Sequence, residues 1–172
     1  MQKLALVAAT SFLLVATGAQ NATAAPLGDT TQTIQPAIAS LLKSIKNPER
    51  KEEIHAATPV LTSVLNDMAC TPSIPGPISS NHQQLTGELM RYAASSQATA
   101  NYWSPFDRLP NTPQTECLGV SRLQNIQFTG KNEFTLSATF CSSISGLCAP
   151  EHLGFVNMGQ GWQLKCLDWT CG

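Results

Sequence analysis

Charge is scarce in this chain. Only 12% of its 172 residues are Asp, Glu, Lys or Arg, and the formal net charge is −1. A chain so composed has no basic stripe with which to hold a phosphate backbone, so nucleic acid is excluded as an expected partner. Aromatic residues are few too, at 6%. Familiar catalytic signatures are missing: there is no G-x-S-x-G elbow, no H-E-x-x-H, no P-loop and no G-x-G-x-x-G. No repeat occurs at the periods that mark solenoids or propellers. Past the N-terminus, no stretch is apolar enough for the roughly 20 residues that a bilayer span takes.

The N-terminus itself carries a pattern. One positive charge, Lys3, precedes an apolar run from Leu4 to Ala16, and the small residues Ala22, Thr23 and Ala24 follow. A charged start, a short apolar stretch and an A-x-A site are the three parts of a secretory signal peptide. The expected cleavage is after Ala24, since cleavage one residue later would put Pro26 first. Residues 1–24 are thus the expected signal peptide, and 25–172 a single mature domain of ordinary size. Without Lys3, nine basic residues face eleven acidic ones, a formal charge of −2. The expected location is periplasmic or secreted, with no transmembrane segment in the mature chain.

Export bears on the cysteines. The six, at 70, 117, 141, 148, 166 and 171, all follow the expected cleavage site. Thiols in an oxidising compartment pair, and an even count suits three bridges. The spacings C-x6-C and C-x4-C lack the C-x2-C knuckle of a zinc site and the C-x-x-C of a redox couple. Structural disulfides are therefore expected, with no metal and no cofactor. Six cysteines permit about 15 pairings. The expected set is Cys141 with Cys148, closing the loop "SSISGL", Cys166 with Cys171, and Cys70 with Cys117. The rival is a cross-strand pairing of Cys141 with Cys166.

Hydrophobic periodicity divides the mature chain. In "TIQPAIASLLKSIKN", Ile34, Ile38, Leu41, Leu42 and Ile45 recur at helical spacing, with Pro36 in the expected first turn. "NPER" supplies a cap, a proline for the first helical position and an early acid. The second helix then carries Ile54, Ala57, Leu61, Val64, Leu65 and Met68 on one face, with an expected kink at Pro59. "TPSIPGPISS" predicts an extended connection. A third helix is expected between Asn81 and about Ala100, with Leu85, Leu89, Tyr92 and Ala93 inward.

The second half alternates instead. "RLQNIQF", "EFTLSATFC", "HLGFVNM" and "WQLKCLDW" predict four strands, separated by "GKN", a cysteine loop and "GQG". Phe134, Leu136, Ala138 and Phe140 share one face of the second strand. Trp162, Leu164 and Cys166 are expected to share a face of the fourth. Short connections imply an antiparallel meander, and the economical architecture is α+β: about three N-terminal helices packed on a four-stranded antiparallel sheet. Helices followed by a meander that ends in "GQGWQLKCLDW" resemble the NTF2-like (cone-shaped α+β barrel) superfamily over about Asn81 to Trp169. That resemblance implies a concave pocket and no particular chemistry.

Candidate chemistry is thin. Glu52 and His55 form a single E-x-x-H pair, whereas a di-iron bundle needs two and further glutamates. Glu151 and His152 are adjacent in a strand, where neighbours point to opposite faces. His152 with Asp168 or Glu151 is the combination an exported hydrolase or effector would use. The loop "NYWSPFDRLPNTPQTE" is the more informative stretch. Tyr102, Trp103 and Phe106 lie within five residues, Asp107 and Arg108 follow, and three prolines stiffen it. These five residues are the expected binding lip, because aromatics and Arg dominate interfaces. The expected function is an exported, non-enzymatic binding protein, of the inhibitor or immunity type or a small-ligand binder. Its partner is expected to be another protein or a small ligand.

Overall fold

A computed structural model of the protein describes residues 31–71, 74–77, 85, 87–94, 101–102, 104–113 and 116–171. Helix α1 spans Thr31–Ser44 and begins earlier than the periodicity predicts, so Pro36 lies past its first turn. Helix α2, Pro48–Cys70, starts as expected: Asn47 is its N-cap, the side chain accepting from Arg50 N at 3.2 Å, with Pro48 at the first position. It runs on through Pro59 to Cys70. The "IPGP" segment forms a short strand, β1 (Ile74–Pro77), paired antiparallel with β2 (Asn101–Tyr102). Helix α3 is Gly87–Ala94. The expected start of this helix, at Asn81, lies outside the described residues.

The second half is an antiparallel meander in the order β3-β4-β5-β6. Its strands are β3 (Gly119–Gly130), β4 (Glu133–Cys141), β5 (Cys148–Asn157) and β6 (Trp162–Leu167). Short 3-10 helices at Pro105–Arg108 and Asp168–Cys171 lie before and after the meander. No described helix is long and apolar enough to cross a membrane.

One core unites the two halves. Ile34, Ile38 and Leu41 of α1, Ile54, Leu61 and Leu65 of α2, and Leu89 and Tyr92 of α3 are buried with Phe134, Leu136, Phe140, Leu153 and Phe155 of the sheet. Phe134 is its aromatic centre. Its ring lies 5.2 Å from those of both Phe155 and Trp162, and 6.3 Å from that of Phe128.

All six cysteines pair as the sequence order predicts. The bridges are Cys70–Cys117, Cys141–Cys148 and Cys166–Cys171, with Cα–Cα separations of 4.4, 4.1 and 5.1 Å. The first ties the end of α2 to the start of the meander, where Leu118 N also donates to Ala69 O at 2.8 Å. The second closes the "SSISGL" loop. That loop is held from below by Glu116, whose buried carboxylate accepts from Ser143 N at 2.9 Å, Ser143 Oγ at 2.6 Å and Ser142 Oγ at 3.3 Å. Alkylation of the oxidised protein without reduction should leave its intact mass unchanged. Two or more adducts would break the three-bridge assignment.

One expectation about β6 needs correction. Trp162 and Leu164 lie toward the core as expected, but Cys166 does not share their face. An irregularity between Gly154 and Phe155 pairs Leu164 with Phe155 and Cys166 with Gly154, so a change of parity turns the sulfur outward. Gly154 makes room for it. A Cβ there would stand 2.2 Å from Cys166 Sγ and 3.4 Å from Cys171 Sγ. Gly154→Ala should therefore cost about 1–3 kcal/mol through overpacking. Urea denaturation with the bridges intact measures it; an unchanged midpoint would show that the terminal turn yields freely.

Candidate functional site

The sheet's two faces differ because of β4. Phe134, Leu136, Ala138 and Phe140 are buried in the core, while Thr135, Ser137 and Thr139 point the other way. On that outer face lies a groove of about 450 Å³. From β3 come Asn125 and Gln127, from β4 Thr135 and Ser137, from β5 His152, and from the C-terminal turn Asp168 and Cys171.

Local structure explains why these side chains converge. The register of β3 against β4 slips between Gln124 and Gln127, and Asn125 there takes φ 55°, a left-handed value that Asn tolerates better than most residues. Its Nδ2 donates to Ser137 Oγ at 3.5 Å. Ser137 and His152 are direct cross-strand partners, which sets Ser137 Oγ 3.2 Å from His152 Nδ1. Asp168 also has positive φ, 48°. It opens the turn closed by Cys166–Cys171, and Leu167 N donates to Thr170 Oγ1 across that turn at 2.9 Å.

Arg108 is joined to the groove through Asp168. Its Nη2 donates to Asp168 Oδ2 at 2.7 Å and its Nη1 to Pro150 O at 3.1 Å. Its Nε is 3.5 Å from Glu151 Oε1, an ion-pair contact without hydrogen-bond geometry, and that oxygen has no hydrogen bond. Glu151 pairs with Ala138 in the sheet and so faces the core, with a side chain only 2% exposed. Burial pushes its carboxyl up to about 7; Arg108 opposes the shift, and Asp168 and Asp107 reinforce it.

The expected residues are thus distributed over three places. His152 and Asp168 line one groove, but each has another polar neighbour there, Ser137 and Arg108. Glu151 sits on the opposite face of β5 from His152, as strand alternation requires. Of the lip, Asp107 and Arg108 are exposed on the first 3-10 helix, which Ser104 caps by accepting from Phe106 N at 3.3 Å. Phe106 is a correction: it is 7% exposed and belongs to the core, since its ring completes the apolar cluster under the loop. Trp103 and the side chain of Tyr102 lie outside the described residues. Asn125, Gln127, Thr135 and Ser137 were not anticipated as site residues. For Thr135 and Ser137 the polar half of the β4 alternation was the one sequence signal, and alternation alone cannot tell a groove from a wetted surface. Among the described residues, no three His, Cys, Asp or Glu side chains form a metal-holding group.

No protein-family model, no curated protein and no solved structure matches this chain.

Proposed function

We propose that the protein is an exported, non-enzymatic binding protein that holds a small polar ligand in the groove on the outer face of its sheet. The observation that carries this reading is the groove's lining. Amide, hydroxyl and imidazole groups from three strands converge on one space of about 450 Å³, a volume within the usual range for ligand pockets. Asp168 is the lining's one carboxylate, and Arg108 of the expected lip holds it by a hydrogen bond at 2.7 Å. Three disulfides are compatible with export to an oxidising compartment. The resemblance in element order to the NTF2-like superfamily supports a concave pocket as well.

A hydrolytic reading has one observation in its favour: His152 and Asp168 line the same groove, with the Ser137 hydroxyl against the imidazole. Against it, Asp168 Oδ2 is engaged by Arg108.

Two measurements test the proposal. N-terminal sequencing of protein expressed with its leader should begin at Ala25. Amide NMR of the purified protein, screened against mono- and disaccharides, free amino acids and short peptides, should give shifts confined to Asn125, Gln127, Ser137 and His152. Gln127→Trp, which fills the groove, should abolish them. Shifts that survive Gln127→Trp, or that map elsewhere, would overturn the groove as the site. Turnover of acetyl or phosphoryl esters that is lost in His152→Ala would favour the hydrolase.

A further inference from the structure

Arg108 contacts two carboxylates that lie on opposite faces of the sheet. Asp168 lines the groove; Glu151 is sealed on the core side. One planar guanidinium reaches both, through Nη2 to the first and Nε to the second, while its Nη1 is fixed on Pro150 O. A rigid fork of this kind cannot adjust to one acceptor without changing its geometry at the other.

We propose that Arg108 transmits the protonation state of Glu151 to Asp168, so that the charge of the groove, and with it the hold on a ligand, follows the state of the buried carboxyl. The ligand part of this inference rests on the groove reading above; the coupling between the two carboxylates does not.

The groups around Glu151 set the sign. On the first 3-10 helix these are Arg108 and Asp107; on the C-terminal turn, Asp168. From α3, Tyr92 reaches the same turn through a hydrogen bond with Thr170, and burial raises its hydroxyl pKa further above neutrality, so it stays uncharged. His152 follows Glu151 in the chain but occupies the groove side. When Glu151 is protonated, the Arg108 charge is directed to Asp168, and the pair approaches neutrality. When Glu151 ionises, the same cation must serve both carboxylates, and the cluster gains one negative charge. Asp168 then holds Arg108 less exclusively and presents a stronger field to the groove. The turn closed by Cys166–Cys171 keeps the Asp168 backbone in place, so the response lies in charge and in the guanidinium. Ligands bearing an ammonium or guanidinium group should gain from the rise in pH, and by linkage should draw the proton from Glu151.

The test needs no ligand. Side-chain carboxyl 13C shifts are followed from pH 4 to 8.5 in His152→Gln protein, which removes the groove's own imidazole. The Glu151 carboxyl should titrate at about 7, and the Asp168 carboxyl shift should change at the same midpoint. Glu151→Gln should delete that change. The proposal is overturned if the Asp168 shift shows no change at the Glu151 midpoint, if that change survives Glu151→Gln, or if Glu151 titrates below pH 5. Should the Gln variant not fold, the coincidence or separation of the two midpoints in the Glu151 protein decides alone. Coupled midpoints without any groove ligand would sink the binding function and leave the coupling standing.

Discussion

Phe134→Ala is expected to lower the unfolding free energy by about 3–5 kcal/mol, the range for emptying a buried aromatic site. Phe134 is fully buried, and three aromatic rings surround it. The stacked contact with Phe155, at 25° between planes, is with its direct partner on β5; the tilted ones reach Phe128 on β3 and Trp162 on β6. One side chain therefore binds all four strands of the meander together. Each aromatic pair adds about 0.5–1.5 kcal/mol beyond its area. The neighbours cannot collapse into the space, because Phe155 is fixed in the sheet ladder and the Arg50 guanidinium covers Phe128 at 4.7 Å. Urea denaturation at constant pH with the bridges intact is the measurement. A midpoint loss worth less than about 1 kcal/mol would mean that the cluster is not a cooperative part of the core.

Glu151→Gln is expected to stabilise the protein increasingly as pH rises above about 4.5, with the full effect above about 7. The carboxyl ionises near 4.5 when the chain is unfolded and at about 7 when folded. Between those values the unfolded state has released a proton that the native state retains. Stability from this group is thus fully present below about 4.5, falls as pH rises, and is lost above about 7. A gap of that size is worth on the order of 3 kcal/mol. Gln keeps the shape and an acceptor for Arg108 but cannot ionise. Variant and parent should match at pH 4, and the variant should lead by about 3 kcal/mol at pH 8. Another carboxyl with a clear shift, Glu133, is lowered chiefly by its hydrogen bond with Lys165, so its contribution fades only on acidification. Equal pH profiles for the two proteins would show that Glu151 ionises normally in the fold.

Several of these features were legible before the fold was known. Ile54, Ala57, Leu61, Val64, Leu65 and Met68 read as one helical face, and all are buried. The alternation in "EFTLSATFC" gave β4 its bounds and its inward set. Asn47 and Pro48 announced the start of α2. Such signals are local: caps act within one turn, and side-chain periods of 3.6 or 2 repeat inside a single element. The disulfide order was also within reach, because two of the three bridges close loops of a few residues. Phe106 was misread because a loop aromatic looks the same in sequence whether it points to solvent or into the core. The face of Cys166 was misread because a shift in strand register is a property of two strands and leaves no mark in either.

The sequence by itself determined the α+β class, the strand-forming half, the core faces of the helices and an expected pairing of its cysteines. These follow from short-range sterics and from the need to bury apolar surface. Only the tertiary structure decided that Ser137 meets His152, that Asn125 turns toward them, and that Arg108 joins Asp168 to a buried Glu151 across 43 to 60 positions of chain. Those juxtapositions depend on strand register, on one left-handed Asn and on how a loop is laid over the sheet. No local preference encodes them, because each is set by packing between segments that are distant in the chain.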